Sequence, residues 1–365
     1  MLQVGLIQWM KLCGKFIMIK NVHIRGFKCF DDEVIDFSNL TVITGPNSSG
    51  KSSLLQALLI NLNHSNMNDA EIQRYVDDLG TFIDLKNKKT NPDKFSIDIK
   101  LDTDRLISYF RCLESPSVIN GYGALSKPLT PWYLSANRRM LSETGFGAPS
   151  ELSCGIFGEN ISSYYHSRKD DKLEDNLIIN KTSANTLESQ VNYWLSYICS
   201  SEISVFVDQI TTTVYRSYYK IDNQEYKPQN LGAGVSYLIS VIVRALLMPK
   251  SNFDTCCFII ENPEIHLHPK SQARLAEFFA FVARTGRQII IETHSEHLIS
   301  KLRYCIYNKQ IEASQVVIQY RQPDKFEKIE ILPNGKLLNE TGEHSFPRGF
   351  FDATLDNIFE INSNV

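Results

Sequence analysis

The 365-residue chain is 43% hydrophobic and 22% charged, the balance of a globular protein long enough for one large domain or two ordinary ones. Its formal net charge of -3 excludes a nucleic-acid binder driven by bulk electrostatics, and no apolar run approaches the ~20 residues that a bilayer span needs. The cysteines (Cys13, Cys29, Cys112, Cys154, Cys199, Cys256, Cys257 and Cys305) contain no C-x-x-C pair, which argues against a zinc site or a disulfide framework and for reduced, buried thiols in a cytoplasmic protein.

In chain order, residues 1–17 have neither the basic start nor the apolar core of a signal peptide, and they read as an N-terminal extension before Met18. Ile19 to Phe30 reads as a strand and turn, with Val34 to Phe37 as its antiparallel partner. Leu40 to Thr44 is a short run rich in β-branched residues, hence a buried strand. A Gly/Pro/Asn/Ser loop follows, then helix formers from Ser53 to Leu62. Ala70 to about Arg111 alternates between a helix and strands such as Phe95 to Leu101. Residues 113–185 lose periodicity and read as an α+β insertion between an N-terminal part, 18–112, and a C-terminal part, 186–320. In that second part, helices are expected over Thr186 to Ile198, Leu238 to Leu247 and Lys270 to Thr285, and buried strands over Cys256 to Ile260 and Gln288 to Glu292. Glu312 to Gln319 and Lys328 to Leu332 look like a closing strand pair, and 321–365 reads as a C-terminal module. The fold class is α/β: a mixed central sheet with helices on both faces.

Four motifs carry chemistry. Gly45-Pro46-Asn47-Ser48-Ser49-Gly50-Lys51-Ser52 fits G-x-x-x-x-G-K-[ST], between a predicted strand and a predicted helix. Glycines there allow a tight loop and close backbone approach to phosphate, and backbone N–H groups at the helix start face the anion. Lys51 is expected to neutralise the β- and γ-phosphates of ATP, and Ser52 to ligate Mg²⁺. The second motif, Phe258-Ile259-Ile260-Glu261-Asn262-Pro263-Glu264, is an apolar strand ending in a carboxylate, with Glu261 placed to hold Mg²⁺ through water. The third, Ile289-Ile290-Ile291-Glu292-Thr293-His294-Ser295, delivers a polar cluster at a strand end, where His294 can meet the γ-phosphate or an attacking water. The fourth is Leu231-Gly232-Ala233-Gly234-Val235-Ser236, small residues opening a helix that can grip phosphate from the opposite side.

Together and in this order, these elements resemble the ABC-type P-loop ATPases of the SMC, RecF and OLD-like group. Gly45 to Ser52, with Ser53 beside it, matches the Walker A loop, and Gly232-Ala233-Gly234-Val235 the degenerate signature motif. Glu261 to Pro269, ending in His-Leu-His-Pro, matches the Walker B and D-loop stretch, and Thr293-His294-Ser295 the switch histidine. Ile24 to Phe30 resembles the group's first strand. The tail Pro347-Arg348-Gly349-Phe350-Phe351-Asp352 and the stretch Ala124 to Arg139 resemble a subset with a short C-terminal module, similar to ATPase components of bacterial antiviral defence such as that of the Septu system. The resemblance implies an ATP-dependent homodimer with composite sites and a separate effector protein such as a nuclease. Two departures bear on turnover. Asn262 stands where the group's catalytic glutamate follows the Walker B carboxylate, and an amide cannot take a proton from water. Glu264 or His294 is the expected assistant. Gly232 replaces the signature's serine, leaving only backbone N–H for phosphate.

Other readings are a DNA-end ATPase like RecF, with a basic track of Lys86, Lys88, Lys89, Arg138, Arg139, Arg168 and Lys169, and a scaffold that binds ATP without hydrolysing it, favoured by Asn262. A membrane-transport subunit fits poorly with the Gly-Phe-Lys-Cys-Phe start. His266 and His268 have the alternate spacing of a zinc pair, but no third ligand lies nearby, and a role in the D-loop at a dimer interface is preferred.

Overall fold

Three short apolar runs, Leu40–Thr44, Cys256–Ile260 and Gln288–Glu292, supply the adjacent inner strands of one sheet. The computed structural model describes residues 17–64, 70–112, 118–119, 130–147, 153–179, 184–248 and 255–342. Along the chain these give β1 (Ile19–Phe27), β2 (Phe30–Asp36), β3 (Leu40–Thr44), α1 (Lys51–His64), α2 (Ala70–Asp77), α3 (Phe82–Leu85), β4 (Lys94–Leu101), β5 (Leu106–Cys112), β6 (Val118–Ile119), β7 (Thr130–Leu134), β8 (Thr144–Phe146) and α4 (Ile161–Arg168). There follow α5 (Leu187–Cys199), β9 (Ile203–Gln209), β10 (Val214–Ile221), β11 (Gln224–Tyr226), α6 (Ala233–Leu247), β12 (Thr255–Glu261), α7 (Pro269–Ala283), β13 (Ile289–Glu292), α8 (Glu296–Tyr307), β14 (Val316–Arg321), β15 (Phe326–Ile331) and β16 (Leu337–Asn339).

The seven-stranded sheet runs β16-β15-β14-β3-β13-β12-β7. Strands β14, β3, β13, β12 and β7 are parallel, and β15 and β16 return antiparallel, so the sheet is mixed as expected. All five residues of β3 and all four of β13 are buried, because helices or a second sheet cover both faces. The side chains of each inner strand alternate between two cores. Leu40, Val42, Phe258, Ile260, Ile289 and Ile291 face helices α5 to α8. Ile43, Cys257, Ile259 and Ile290 face α1 and the five-stranded sheet β2-β1-β4-β5-β6. A third sheet, β8 to β11, packs on α4 and α5.

Capping fixes the helix starts. Thr186 accepts from Ser189 N before α5, His268 Nδ1 from Lys270 N with Pro269 at the first turn of α7, and Ser295 from Leu298 N before α8. Trp194 on α5 packs edge-on to Phe278 of α7, with ring centroids 5.0 Å apart, and locks those two helices together.

Several expected boundaries move. Strand β7 lies within 113–185, yet it pairs in parallel with β12 at the edge of the central sheet, so this part of the expected insertion belongs to the head. Residues 321–339 extend the same sheet through β15 and β16 and are not a separate module. Ile17, assigned to the extension, is buried in the N-terminal core. Cys154, Cys257 and Cys305 are buried as expected, whereas Cys29 is exposed at the β1–β2 turn. Residues 1–16 and the Pro347 to Asp352 motif lie outside the described residues.

Candidate functional site

Strand β3 ends at Thr44 and hands the chain to the glycine-rich loop, whose two glycines have positions no other residue could take. Gly45 has φ +140°, and a Cβ there would lie 2.7 Å from the Arg321 carbonyl oxygen. Gly50 has φ +111°, and its Cβ would meet Cys29 Sγ. Helix α1 opens at Lys51, so the first N–H groups of the helix have no intrahelical acceptor and are free for an anion. Lys51 is buried, and its Nζ donates to the carbonyls of Gly45 (3.0 Å) and Pro46 (2.7 Å) of its own loop. Burial holds its pKa below the ordinary lysine value, and Glu292 opposes the shift.

Arg321, at the end of β14, underpins this loop. It is fully buried, donates from Nε to the Ser49 carbonyl (2.9 Å), and pairs through Nη1 with Glu33 Oε2 (3.0 Å). Its guanidinium lies 5.2 and 5.1 Å from the ring centroids of Phe30 and Phe326. A buried charge is tolerated there because its donors have partners.

Strands β12 and β13 bring the carboxylates. Glu261 and Glu292 are register partners, and Glu292 also pairs with Ile43 of β3. Ser52 Oγ donates to Glu292 Oε1 at 3.1 Å. Burial first, then the charge of Glu261, lift the Glu292 carboxyl to about 7. Glu261 accepts from Tyr133 Oη (2.9 Å) at one oxygen and from Ala136 N (3.0 Å) at the other. The turn beyond it is strained: Asn262 has φ +40° and donates its N–H to the Glu292 carbonyl at 2.7 Å. Glu264 folds inward to accept the His294 N–H (3.0 Å), and burial raises its pKa. His294 is exposed, and partial desolvation, with the charge of Lys51 beside it, holds its pKa below the ordinary histidine value. Lys51, Ser52, Glu261, Glu264 and His294 are therefore gathered at the carboxyl ends of three adjacent strands, the ordinary place for a ligand in a parallel sheet.

Gly232 caps α6 and has nothing within 4 Å of its Cβ direction. Gly234 is not open: a Cβ there would lie 2.5 Å from the His266 carbonyl oxygen and 2.8 Å from Leu267 Cδ2. The turn that opens α6 thus packs on the segment after β12 of its own chain, where the His266 ring also stacks on Tyr237 at 5.5 Å. Among the described residues no cluster of three metal-ligating side chains forms around His266 or His268.

Sequence reading put Arg138 in a surface basic track. Instead it is buried, donating to the carbonyls of Ser135 (3.0 Å), Glu261 (2.6 Å) and Asn262 (2.8 Å). It ties the loop after β7 to the end of β12, which breaks the track; Lys88, Lys89 and Arg139 remain exposed. Three further residues of the site carried no expected role: Glu292, Tyr133 and Arg321. Glu292 had the same signal as Glu261, a carboxylate closing an apolar strand.

A parallel sheet with a glycine loop, buried lysine and helix start on its central strand defines a P-loop ATPase head. The AAA ATPase domain family matches residues 18–187 and 157–299, and the chain belongs to that family. A comparison with curated proteins finds no match. The fold is similar to an SMC head bound to the C-winged helix domain of ScpA (TM-score 0.53, 12% identity, 86% of this chain and 97% of that one). It is also similar to the Pyrococcus furiosus SMC head with an extended coiled coil bound to the C-terminal domain of ScpA (TM-score 0.51, 12% identity, 95% and 100% covered). The Pyrococcus yayanosii SMC head with a coiled coil and joint gives 0.51 at 9% identity, covering 87% and 98%. At such identities the likeness is one of fold. Family membership implies nucleotide binding.

Proposed function

We propose that this chain is an ATP-driven switch. It binds ATP with Mg²⁺, hydrolyses it slowly, and closes as a homodimer over two shared nucleotides to regulate a separate effector protein. The observation that carries the reading is Lys51, a buried ammonium held above a helix start by two carbonyls of its own loop. Incoming phosphates would replace those weak partners, while the loop N–H groups and Ser53 line the same cradle. Residues 45–50 wrap the phosphate tail. Ser52 and a neighbouring strand-end carboxylate would hold Mg²⁺, which would offset the charge of the phosphates. Ser52, exposed beside the buried Glu292, fits such a cation.

Slow turnover is supported by the base candidates among the described residues of the site: Asn262 has an amide, Glu264 is buried with one oxygen holding the His294 N–H, and His294 is exposed and can orient water. The shared site is supported by Gly232, whose open side is far enough from every neighbour to admit a phosphate carried by a second copy. An effector on another chain is supported by the two similar SMC heads bound to domains of ScpA. The resemblance of Tyr133 to Arg138 and of the tail to defence ATPases points to a cytoplasmic role in antiviral defence, with a nuclease as the effector. Among the described residues no helix is long and apolar enough to cross a membrane. DNA contact has less support, since Arg138 is withdrawn from the surface.

The test is calorimetric titration of ATP in Mg²⁺. Lys51→Ala should weaken binding by about 3 kcal/mol, roughly a hundredfold in Kd. Undiminished affinity in the variant would refute the assignment.

A further inference from the structure

We propose that the cavity at the far end of α1 is a second binding site, for a small organic acid that carries an N–H or O–H donor on an apolar body. At ~1.5 Å of rise per residue, Asn63 beside the cavity stands about 16 Å along α1 from Ser52. The nucleotide and this ligand would thus sit at opposite ends of one helix, and neither reading depends on the other.

The cavity holds about 380 Å³, near the lower bound of small-molecule sites, ~300–1,000 Å³. Its apolar lining includes Ile60 of α1, Leu85 of α3 and Tyr109 of β5, all buried. Two polar groups on it have capacity to spare.

The first is Asn63, which is 1% exposed. A side-chain relay fixes which end of its amide is free. Gln73 Nε2 lies 2.8 Å from Asp77 Oδ1, and an ionised carboxylate only accepts, so Gln73 must turn Oε1 towards Asn63. Asn63 Nδ2 donates to that oxygen (2.9 Å), which leaves Oδ1 sealed from solvent with no hydrogen-bond partner among the described residues. An occupant of the cavity therefore has to bring a donor. Asn61 also keeps an unpaired Oδ1, but its amide is spent on the carbonyls of Ile97 (2.6 Å) and Ile107 (3.1 Å), fastening α1 to β4 and β5. Asn63 differs in lining open space.

The second is Arg111 of β5, half-buried on the same cavity. Its one hydrogen bond among the described residues runs from Nη1 to the Gly80 carbonyl at 3.5 Å, the outer limit of such a contact. No carboxylate among them pairs with it. Those of the adjoining turn are engaged elsewhere: Asp77 by Gln73, and Asp84 by Thr81 N (2.7 Å) and Oγ1 (2.8 Å). A planar guanidinium with open donors matches a carboxylate through two parallel bonds. A phosphate dianion fits less well, because Asp77 lines the same cavity and repels the second charge. The acid would lie on Arg111, the donor on Asn63, and the apolar body against Ile60, Leu85 and Tyr109.

The probe is 3-phenyllactate, which has all three features, titrated into the whole chain and followed by saturation-transfer NMR. Typical ligand efficiency for its size puts the expected Kd at about 2 mM. 3-Phenylpropionate, which lacks the hydroxyl donor, should bind about tenfold more weakly, and so should 3-phenyllactate with Arg111→Met; Arg111→Lys should recover part of the loss. Lys51→Ala should bind the probe as wild type does. No binding by wild type up to about 20 mM, a cavity that holds water only, would overturn the proposal. Equal binding by Arg111→Met would overturn it too, and loss of binding in Lys51→Ala would move the probe to the nucleotide site. Should Arg111→Met not fold, the two probes decide on wild-type protein: equal affinities sink the proposal, and weaker binding of 3-phenylpropionate supports it. Failure of ATP to bind would leave these outcomes unchanged.

Discussion

The two glycines at the start of α6 should answer oppositely to an added side chain, and that contrast tests the shared site. At Gly232 the backbone is ordinary (φ -57°, ψ 135°) and the Cβ direction is empty to 4 Å, so Gly232→Glu adds nothing that clashes. A carboxylate at a helix N-cap gains about 0.3–1 kcal/mol from the helix dipole, so the folded monomer and its ATP affinity should be unharmed. In a two-copy arrangement the same carboxylate meets the partner's γ-phosphate. Two like charges about 4 Å apart at an effective dielectric of ~20 repel by about 4 kcal/mol, which weakens association roughly a thousandfold per site. Gly234→Ala is the contrasting case. Its methyl would sit 2.5 Å from the His266 carbonyl oxygen, a strain of about 1–3 kcal/mol against at most ~1 kcal/mol of helix propensity gained. It should lower the melting temperature of the monomer, and so cannot report on a partner cleanly. The assay is light scattering with and without ATP, beside thermal melts and phosphate release. Mixing Gly232→Glu with Lys51→Ala should restore part of the activity, because one of the two sites in the mixed dimer is intact. Full ATP-dependent dimerisation by Gly232→Glu alone would rule the shared site out.

Two further outcomes are expected. Arg138→Met leaves the carbonyls of Ser135, Glu261 and Asn262 without their donor, and should cost about 3 kcal/mol or more in urea unfolding while ATP binding at the loop persists. The pH dependence of the nucleotide-free protein should carry a signature of Glu292. Its carboxyl is raised from 4.5 to about 7, so between those values the folded chain holds a proton that the unfolded chain has released. Stability contributed by this group is therefore complete below pH 4.5, falls as pH rises through the window, and stays low above 7. Glu292→Gln should be more stable than wild type by about 3 kcal/mol at pH 8 and converge with it near pH 4.5. Urea midpoints at the two pH values measure this, and an equal difference at both would contradict the assignment.

What could be read from sequence was local. The phosphate loop announced itself because spacing, glycine and the flanking strand and helix all lie within a short window, and β3, β12 and β13 were legible as unbroken apolar runs. Strand β7 was missed because Pro131 argues against a strand; it is tolerated because β7 is the edge of its sheet. Helix α4 was missed because Ser162 and Ser163 are buried beside Tyr164 and Tyr165, which erases the polar face that a helical period needs. Helix α6 begins at Ala233, five residues before the expected start, since Gly234 weakens the helical signal although its bareness serves packing on His266. Glu292 and Arg138 escaped for a different reason: whether a charged side chain is buried, and against what, depends on strand order and long-range pairing, which no local pattern encodes.

The place of β3 between β13 and β14 has a consequence for how the protein is made. The strand that carries the phosphate loop takes its neighbours from positions 289–292 and 316–320, close to the far end of the described chain. During synthesis from the amino terminus, Leu40 to Thr44 must wait with both edges unpaired until positions 289–320 have been translated. Five buried residues of an apolar strand are a sticky template in that interval, open to the wrong strand or the wrong molecule. Ribosome-bound chains truncated before position 289 should therefore bind chaperones and no nucleotide, and the ability to take up ATP should arise late, as a mark that the whole head has been completed.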